Sequence, residues 1–128
     1  MSKREVIMLK LNTIMLGSDN PKRLADFYGT VLQAEAGWES GQYLGYEAGS
    51  CYLMFGPHDH VHGRSGNPER IIFNFEAADV DGEFERVQAI EGASVVQAPY
   101  HPGDDPTMTL ATFADPDGNY FQLASPMS

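Results

Sequence analysis

Twice in this chain a short apolar segment runs into a helix-capping turn, then an amphipathic helix, then three more short apolar segments. Residues 10–16 are rich in long and β-branched apolar side chains and read as a strand. Gly17-Ser18-Asp19-Asn20-Pro21 stops it, with Asp19 or Asn20 placed to cap a helix that carries Pro21 in its first turn. Leu24, Phe27, Tyr28, Val31 and Leu32 then recur at steps that gather them on one helix face. Segments 37–40, 42–47 and 50–55, punctuated by Gly41 and Gly49, read as three short, mostly antiparallel strands. After a polar loop the order repeats. A strand spans 70–76, and Asp79 opens a helix with Val80, Phe84, Val87 and Ile90 on one side and Gly92 at its end. Strands follow at 93–98, 107–114 and 120–124, the last two joined by the turn Asp115-Pro116-Asp117-Gly118. The fold class this predicts is α+β, built from two βαβββ modules. The duplication is one of pattern, not of visible sequence.

A chain of 128 residues is the size of one domain, and 42% apolar with 20% charged residues is ordinary globular usage, which argues against disorder. The modules fall at about 8–56 and 70–125, with 57–69 as linker. A net charge of −10 repels phosphate backbones, so no nucleic-acid partner is expected, and the same charge raises the local concentration of cations. The lone Cys51 lies in an apolar run and forms no intrachain disulfide. No window is long enough to span a membrane, and the apolar stretch after the charged start is too short for a secretion signal. From these features the expected address is the cytoplasm, and no membrane partner is expected.

The stretch Thr112-Phe113-Ala114-Asp115-Pro116-Asp117-Gly118-Asn119-Tyr120-Phe121-Gln122-Leu123 and the segment from Leu11 to Tyr28 resemble the vicinal-oxygen-chelate superfamily of glyoxalases, bleomycin-resistance proteins and extradiol dioxygenases. The resemblance covers nearly the whole chain. It implies that each module is a curved sheet and that the modules form an eight-stranded cup around a ligand, often within a homodimer. Metal-dependent members present His, Gln or Glu from four strands. Counted back from Asp19 and Asp79, the first-strand positions fall on Asn12 and Ile72; the other two fall on Met54 and Gln122. None of the four is charged, and a divalent ion would be held poorly by them. The resemblance therefore implies a member without the family metal site and with no cofactor.

Alternation then assigns the faces. With Asn12 inward, so are Lys10 and Ile14; Ile72 takes Arg70, Asn74 and Glu76 with it, and Gln122 takes Tyr120 and Ala124. Phe73, Phe75, Phe121 and Leu123 go to the core. The expected ligand-contacting residues are Asn12, Tyr52, Met54, Ile72, Asn74, Tyr120 and Gln122, with His101 from the loop at 99–106. His58, His60 and His62 alternate beside Asp59 and in an extended segment would share a face, as a metal tract does. The resemblance implies that the region of Trp38 can line the cup or the dimer contact, with core or interface packing as the default. Three functions stay open. One is a metal-independent protein that sequesters a small organic ligand in the cup. The second is a glyoxalase-type lyase or isomerase with a rearranged metal site. The third is a structural or regulatory dimer module with a self-filled cup.

Overall fold

The protein is described by a computed structural model covering residues 9–126. The elements run β1 (Thr13–Gly17), α1 (Pro21–Leu32), β2 (Trp38–Ser40), β3 (Tyr43–Ala48), β4 (Cys51–Gly56), β5 (Phe73–Glu76), α2 (Val80–Gln88), β6 (Ser94–Tyr100), β7 (Leu110–Ala114) and β8 (Tyr120–Ala124). The strand–helix–three-strand order thus occurs twice, as the sequence pattern predicts. One sheet has the order β1-β4-β3-β2 and the other β5-β8-β7-β6. In each the first strand pairs parallel with the last, and the remaining pairings are antiparallel. The eight strands stay in two separate four-stranded sheets, so they do not close into one continuous cup within the chain.

Local chemistry accounts for the helices. Asn20 caps α1, its side chain accepting from Arg23 N at 3.2 Å, and Pro21 occupies the first turn, where its missing N–H costs nothing. Asp79 caps α2 through Gly82 N at 3.0 Å. Gln33 closes α1 in a left-handed conformation. α2 ends at Gln88, earlier than expected, and Gly92 serves the turn into β6 with φ of 99°. Three strands also start three residues later than the sequence suggested, β1 at Thr13, β5 at Phe73 and β7 at Leu110. β1 begins at Thr13, leaving Leu9 and Leu11 exposed, and Pro68–Arg70 form a 3-10 turn where β5 was expected to begin.

Both helices pack into one core shared by the modules. Leu24, Phe27, Tyr28 and Val31 of α1 meet Leu53 and Phe55 of β4 and Phe121 and Leu123 of β8, while Val80, Phe84 and Val87 of α2 complete the cluster. Tyr28 stacks on Phe55 at 5.5 Å and meets Phe121 edge-on at 5.5 Å. Each such burial stabilises by roughly 1.5–3 kcal/mol. Phe73 and Phe75 flank the same cluster, as alternation assigned them.

The turn after β7 clasps the modules together. Asp117 accepts from Ser18 Oγ at 2.6 Å and from Arg23 at 2.7 Å. Asp115 accepts from the Tyr28 hydroxyl at 2.6 Å, from Asp117 N at 2.8 Å and from Asn119 N at 3.0 Å. Arg86 of α2 donates to the carbonyls of Thr30 and Val31 at the end of α1.

Candidate ligand-binding faces

Each sheet has one face turned to the helices and one turned away. On β4, Leu53 and Phe55 lie in the core, so Tyr52 and Met54 occupy the open face. The parallel register sets Thr13 beside Tyr52 and Met15 beside Met54, which puts Thr13, Met15 and Gly17 on that face. Ile14 and Leu16 go to the core. The expectation that Asn12 and Ile14 face the cup is therefore corrected. Asn12 has the parity of Ile14, and it meets β4 through its carbonyl, which accepts from Tyr52 N at 2.8 Å. The cause is the choice of capping residue. The caps are Asn20 and Asp79, so counting from Asn20 instead of Asp19 moves the first-strand position from Asn12 to Thr13. The same count makes Thr13 the counterpart of Ile72 and Met15 the counterpart of Asn74.

On the second sheet, Asn74 pairs with Gln122 and Gln122 with Thr112, so all three share the open face, and Tyr120, Ala124 and Glu76 share it by alternation. Gln122 Nε2 donates to Thr112 Oγ1 at 3.0 Å. Ile72 precedes β5 with the parity of Asn74. Of the expected contact residues, Tyr52 and Met54 come together on one sheet; Ile72, Asn74, Tyr120 and Gln122 come together on the other. Trp38, expected at the cup, the dimer contact or in packing, lies on the first open face. Thr13, Met15 and Tyr43 were missed on the first sheet, and Thr112 on the second. Strand pairing alone reveals them, since nothing in their own sequence windows sets which face they take.

The first sheet's open face is aromatic and thioether in character. Trp38 lies flat over Gly45, where a Cβ would stand 2.6 Å from its ring, and Tyr43 covers Gly56 in the same way. Glu47 lies on this face opposite Tyr52. Trp38, Tyr43, Tyr52, Met15 and Ile72 are 37–44% exposed, which is high for side chains of this size and marks faces without a cover.

The family's metal positions are not fitted for a metal. Thr13, Ile72, Met54 and Gln122 supply one amide carbonyl and no carboxylate, imidazole or thiolate. The histidine tract does not converge. His58 and His60 have ring centres 5.7 Å apart beside Met15, Gly17 and Val61, lining a cavity of about 210 Å³. His62 turns away to Asp19 at 3.4 Å. His101 bonds the Met108 carbonyl at 2.9 Å within its own loop. Among the described residues, no three His, Cys, Asp or Glu side chains gather as a metal site would require.

A larger cleft of about 1050 Å³ lies elsewhere, between α1, the turn after α2 and Pro116. Four of its charged groups are engaged: Lys22 with Asp26 at 2.8 Å, Arg23 with Asp117, and Arg64 with the Pro116 carbonyl at 3.3 Å. It is the seam of the modules and holds none of the open-face residues. Beneath it, burial pushes the Asp115 carboxyl above its ordinary range despite the hydrogen bonds it accepts, and burial with the Asp115 charge raises Tyr28 well above the usual phenol. No helix among the described residues is long and apolar enough to cross a membrane.

A family model described as a glyoxalase-like domain matches residues 13–124. No curated protein matches the sequence. The structure is similar to a glyoxalase/bleomycin resistance protein/dioxygenase family enzyme from Burkholderia phytofirmans PsJN, with a TM-score of 0.74 and 18% identity, over 93% of this chain and 100% of that one. It is similar to a glyoxalase-related enzyme from Fulvimarina pelagi, with a TM-score of 0.73 and 18% identity over 93% and 89% of the two chains. It is also similar to the genomically encoded fosfomycin resistance protein FosX from Listeria monocytogenes, with a TM-score of 0.65 and 20% identity over 95% of each. At these identities the likeness is one of fold.

Proposed function

The chain belongs to the glyoxalase-like family, within the vicinal-oxygen-chelate superfamily, and from that premise we propose that it binds a small organic molecule without a metal, by sequestration. The observation that carries this reading is the make-up of the open faces. One offers Trp38, Tyr43, Tyr52, Met15 and Met54; the other offers Asn74, Tyr120 and Gln122. Apolar and aromatic walls with a few polar groups suit a ligand pocket; Glu47 and Glu76 stand singly, one on each face, and neither face carries a nucleophile–base pair. Desolvation of the ligand between two such walls does the work, with no bond made or broken.

Each face is open in the single chain, so the cup needs a second wall. A second copy of the chain supplies it: the reading is a homodimer in the cytoplasm, with a small molecule as its other partner. The one observation that favours a lyase or isomerase instead is the His58–His60 pair beside Met15.

The test is metal content by plasma mass spectrometry on untagged protein exposed to Zn²⁺, Ni²⁺, Mn²⁺ and Fe²⁺ and desalted, with sedimentation equilibrium on the same sample. Trace metal on a dimer is the expected result. A stoichiometric ion lost on changing His58 or His60 would overturn the metal-free reading, and a monomer at all concentrations would overturn the two-chain cup.

A further inference from the structure

One residue from every strand of the second sheet lines up across its open face. Asn74 pairs with Gln122, Gln122 with Thr112, and Thr112 with Gln97. All four are uncharged hydrogen-bonding side chains; Thr112 is buried and Gln97 donates to the Ala98 carbonyl at 3.1 Å, which leaves Gln122 and Asn74 as the pair that meets a ligand. Adjacent strands lie roughly 4.8 Å apart, so the row runs on the order of 14 Å, the length of a fused-ring molecule. Gln122 donates one of its two amide N–H bonds to Thr112 at 3.0 Å, and among the described residues its carbonyl oxygen accepts no side-chain hydrogen bond. Asn74 is exposed at the end of the row and offers a complete amide beside it.

The equivalent row of the first sheet is Met15, Met54, Gly45 and Trp38, again one residue per strand. Met15 and Asn74 each stand five residues before their helix caps, Asn20 and Asp79, so the rows occupy matching levels of the two modules. This row has almost no hydrogen-bonding capacity. The missing side chain at Gly45 lets the Trp38 ring lie down onto the strand, which makes a flat stacking surface bordered by thioethers. Module duplication has therefore produced one wall that stacks and one that hydrogen-bonds.

Resting on the reading that the open faces form a ligand cup, we infer that the ligand is an uncharged, flat heterocycle with a lactam-type edge. Its ring lies on Trp38 and Met54; its N–H donates to the Gln122 carbonyl and its C=O accepts from the Asn74 amide. Glu47 and Glu76 lie one step further along β3 and β5 on the same faces, and with the chain's net charge of −10 they turn an anion away. The same field draws a cation towards the faces, but no carboxylate stands in either row to form an ion pair with it at this level.

The probes are quinolin-2(1H)-one, its N-methyl derivative, which lacks the donor, and the N-methylquinolinium cation. Affinity is read by calorimetry, and the place of binding by the indole N–H resonance of Trp38, the single tryptophan. The lactam should bind roughly tenfold more tightly than either analogue while shifting the Trp38 signal, and Asn74→Leu and Gln122→Leu should each erase most of that preference. Both variants are checked for an unchanged dimer and melting temperature; Asn74, the more exposed, remains usable if Gln122→Leu unfolds. Equal binding of the lactam and its N-methyl derivative, or tighter binding of the cation, with the Trp38 shift intact, overturns the lactam inference and leaves the cup. No saturable binding and no Trp38 shift with any probe overturns both.

Discussion

Asp115 is 1% exposed and yet ionisable, in a turn whose residue types suggest nothing beyond a hairpin. Loss of water raises its pKa, and the bonds from Tyr28, Asn119 and Asp117 offset only part of that cost. The sign follows directly. A carboxyl whose folded pKa lies above its unfolded value holds its proton more tightly when folded, so its contribution to stability is fully present below the unfolded value and is lost as pH rises through the raised one. Asp115→Asn removes this titration. It also exchanges an acceptor for a donor facing Tyr28 and Asn119, at a cost of about 2 kcal/mol. Urea denaturation across the acid range should therefore show the gap between wild type and Asp115→Asn narrowing as pH rises; a gap that widens would contradict the raised pKa.

Among the elements, β2 and β3 owe their packing to an absence. Gly45 has no side chain, and Trp38 fills the space that one would take. Gly45→Val forces the ring off β3, because a Cβ there would stand 2.6 Å from it. The fold should survive, since the face is open and the indole can swing into solvent. The expected outcome is a red-shifted tryptophan emission and at least a roughly tenfold loss of affinity for any ligand that stacks there. Unchanged emission would show that Trp38 does not lie on β3 in solution. The caps illustrate what was legible at this scale. Pro21 and the apolar spacing of α1 mark the helix well, but two adjacent capping types, Asp19 and Asn20, left its start ambiguous by one residue. That single step put Asn12 in the place of Thr13, because alternation in a strand converts a one-residue error into the opposite face.

For the molecule as a whole, the two modules form one body because α1 belongs to both. Its apolar face meets β4 and β8, and its first turn is tied to Asp117 through Ser18 and Arg23. Asp117→Ala leaves a buried hydroxyl and a half-exposed guanidinium without their partner. Discounted for the exposure of Arg23, the loss should be about 2 kcal/mol. Thermal unfolding followed by Trp38 emission in the first module and by far-ultraviolet dichroism of the whole should remain coincident but fall in midpoint. An unchanged midpoint would mean that the clasp contributes nothing and that the shared apolar core alone joins the modules.

Caps, turns and apolar spacing act within a few residues, and so the order of elements, the α+β class and the doubled module were determined by the sequence itself. The lack of charge at the four ligand positions was legible too, because Met54, Ile72 and Gln122, with either Asn12 or Thr13, are all uncharged. What only the tertiary structure decided depends on partners far along the chain. The face of β1 is set by its hydrogen bonds to β4, nearly forty residues on. The burial of Asp115 and Asp117 is set by Tyr28 and Ser18, 87 and 99 residues away. The separation of the eight strands into two open sheets is set by a core that both helices share. A side chain's own neighbours in sequence carry no record of such pairings, since the free energy that selects them is gained only when the distant segments meet.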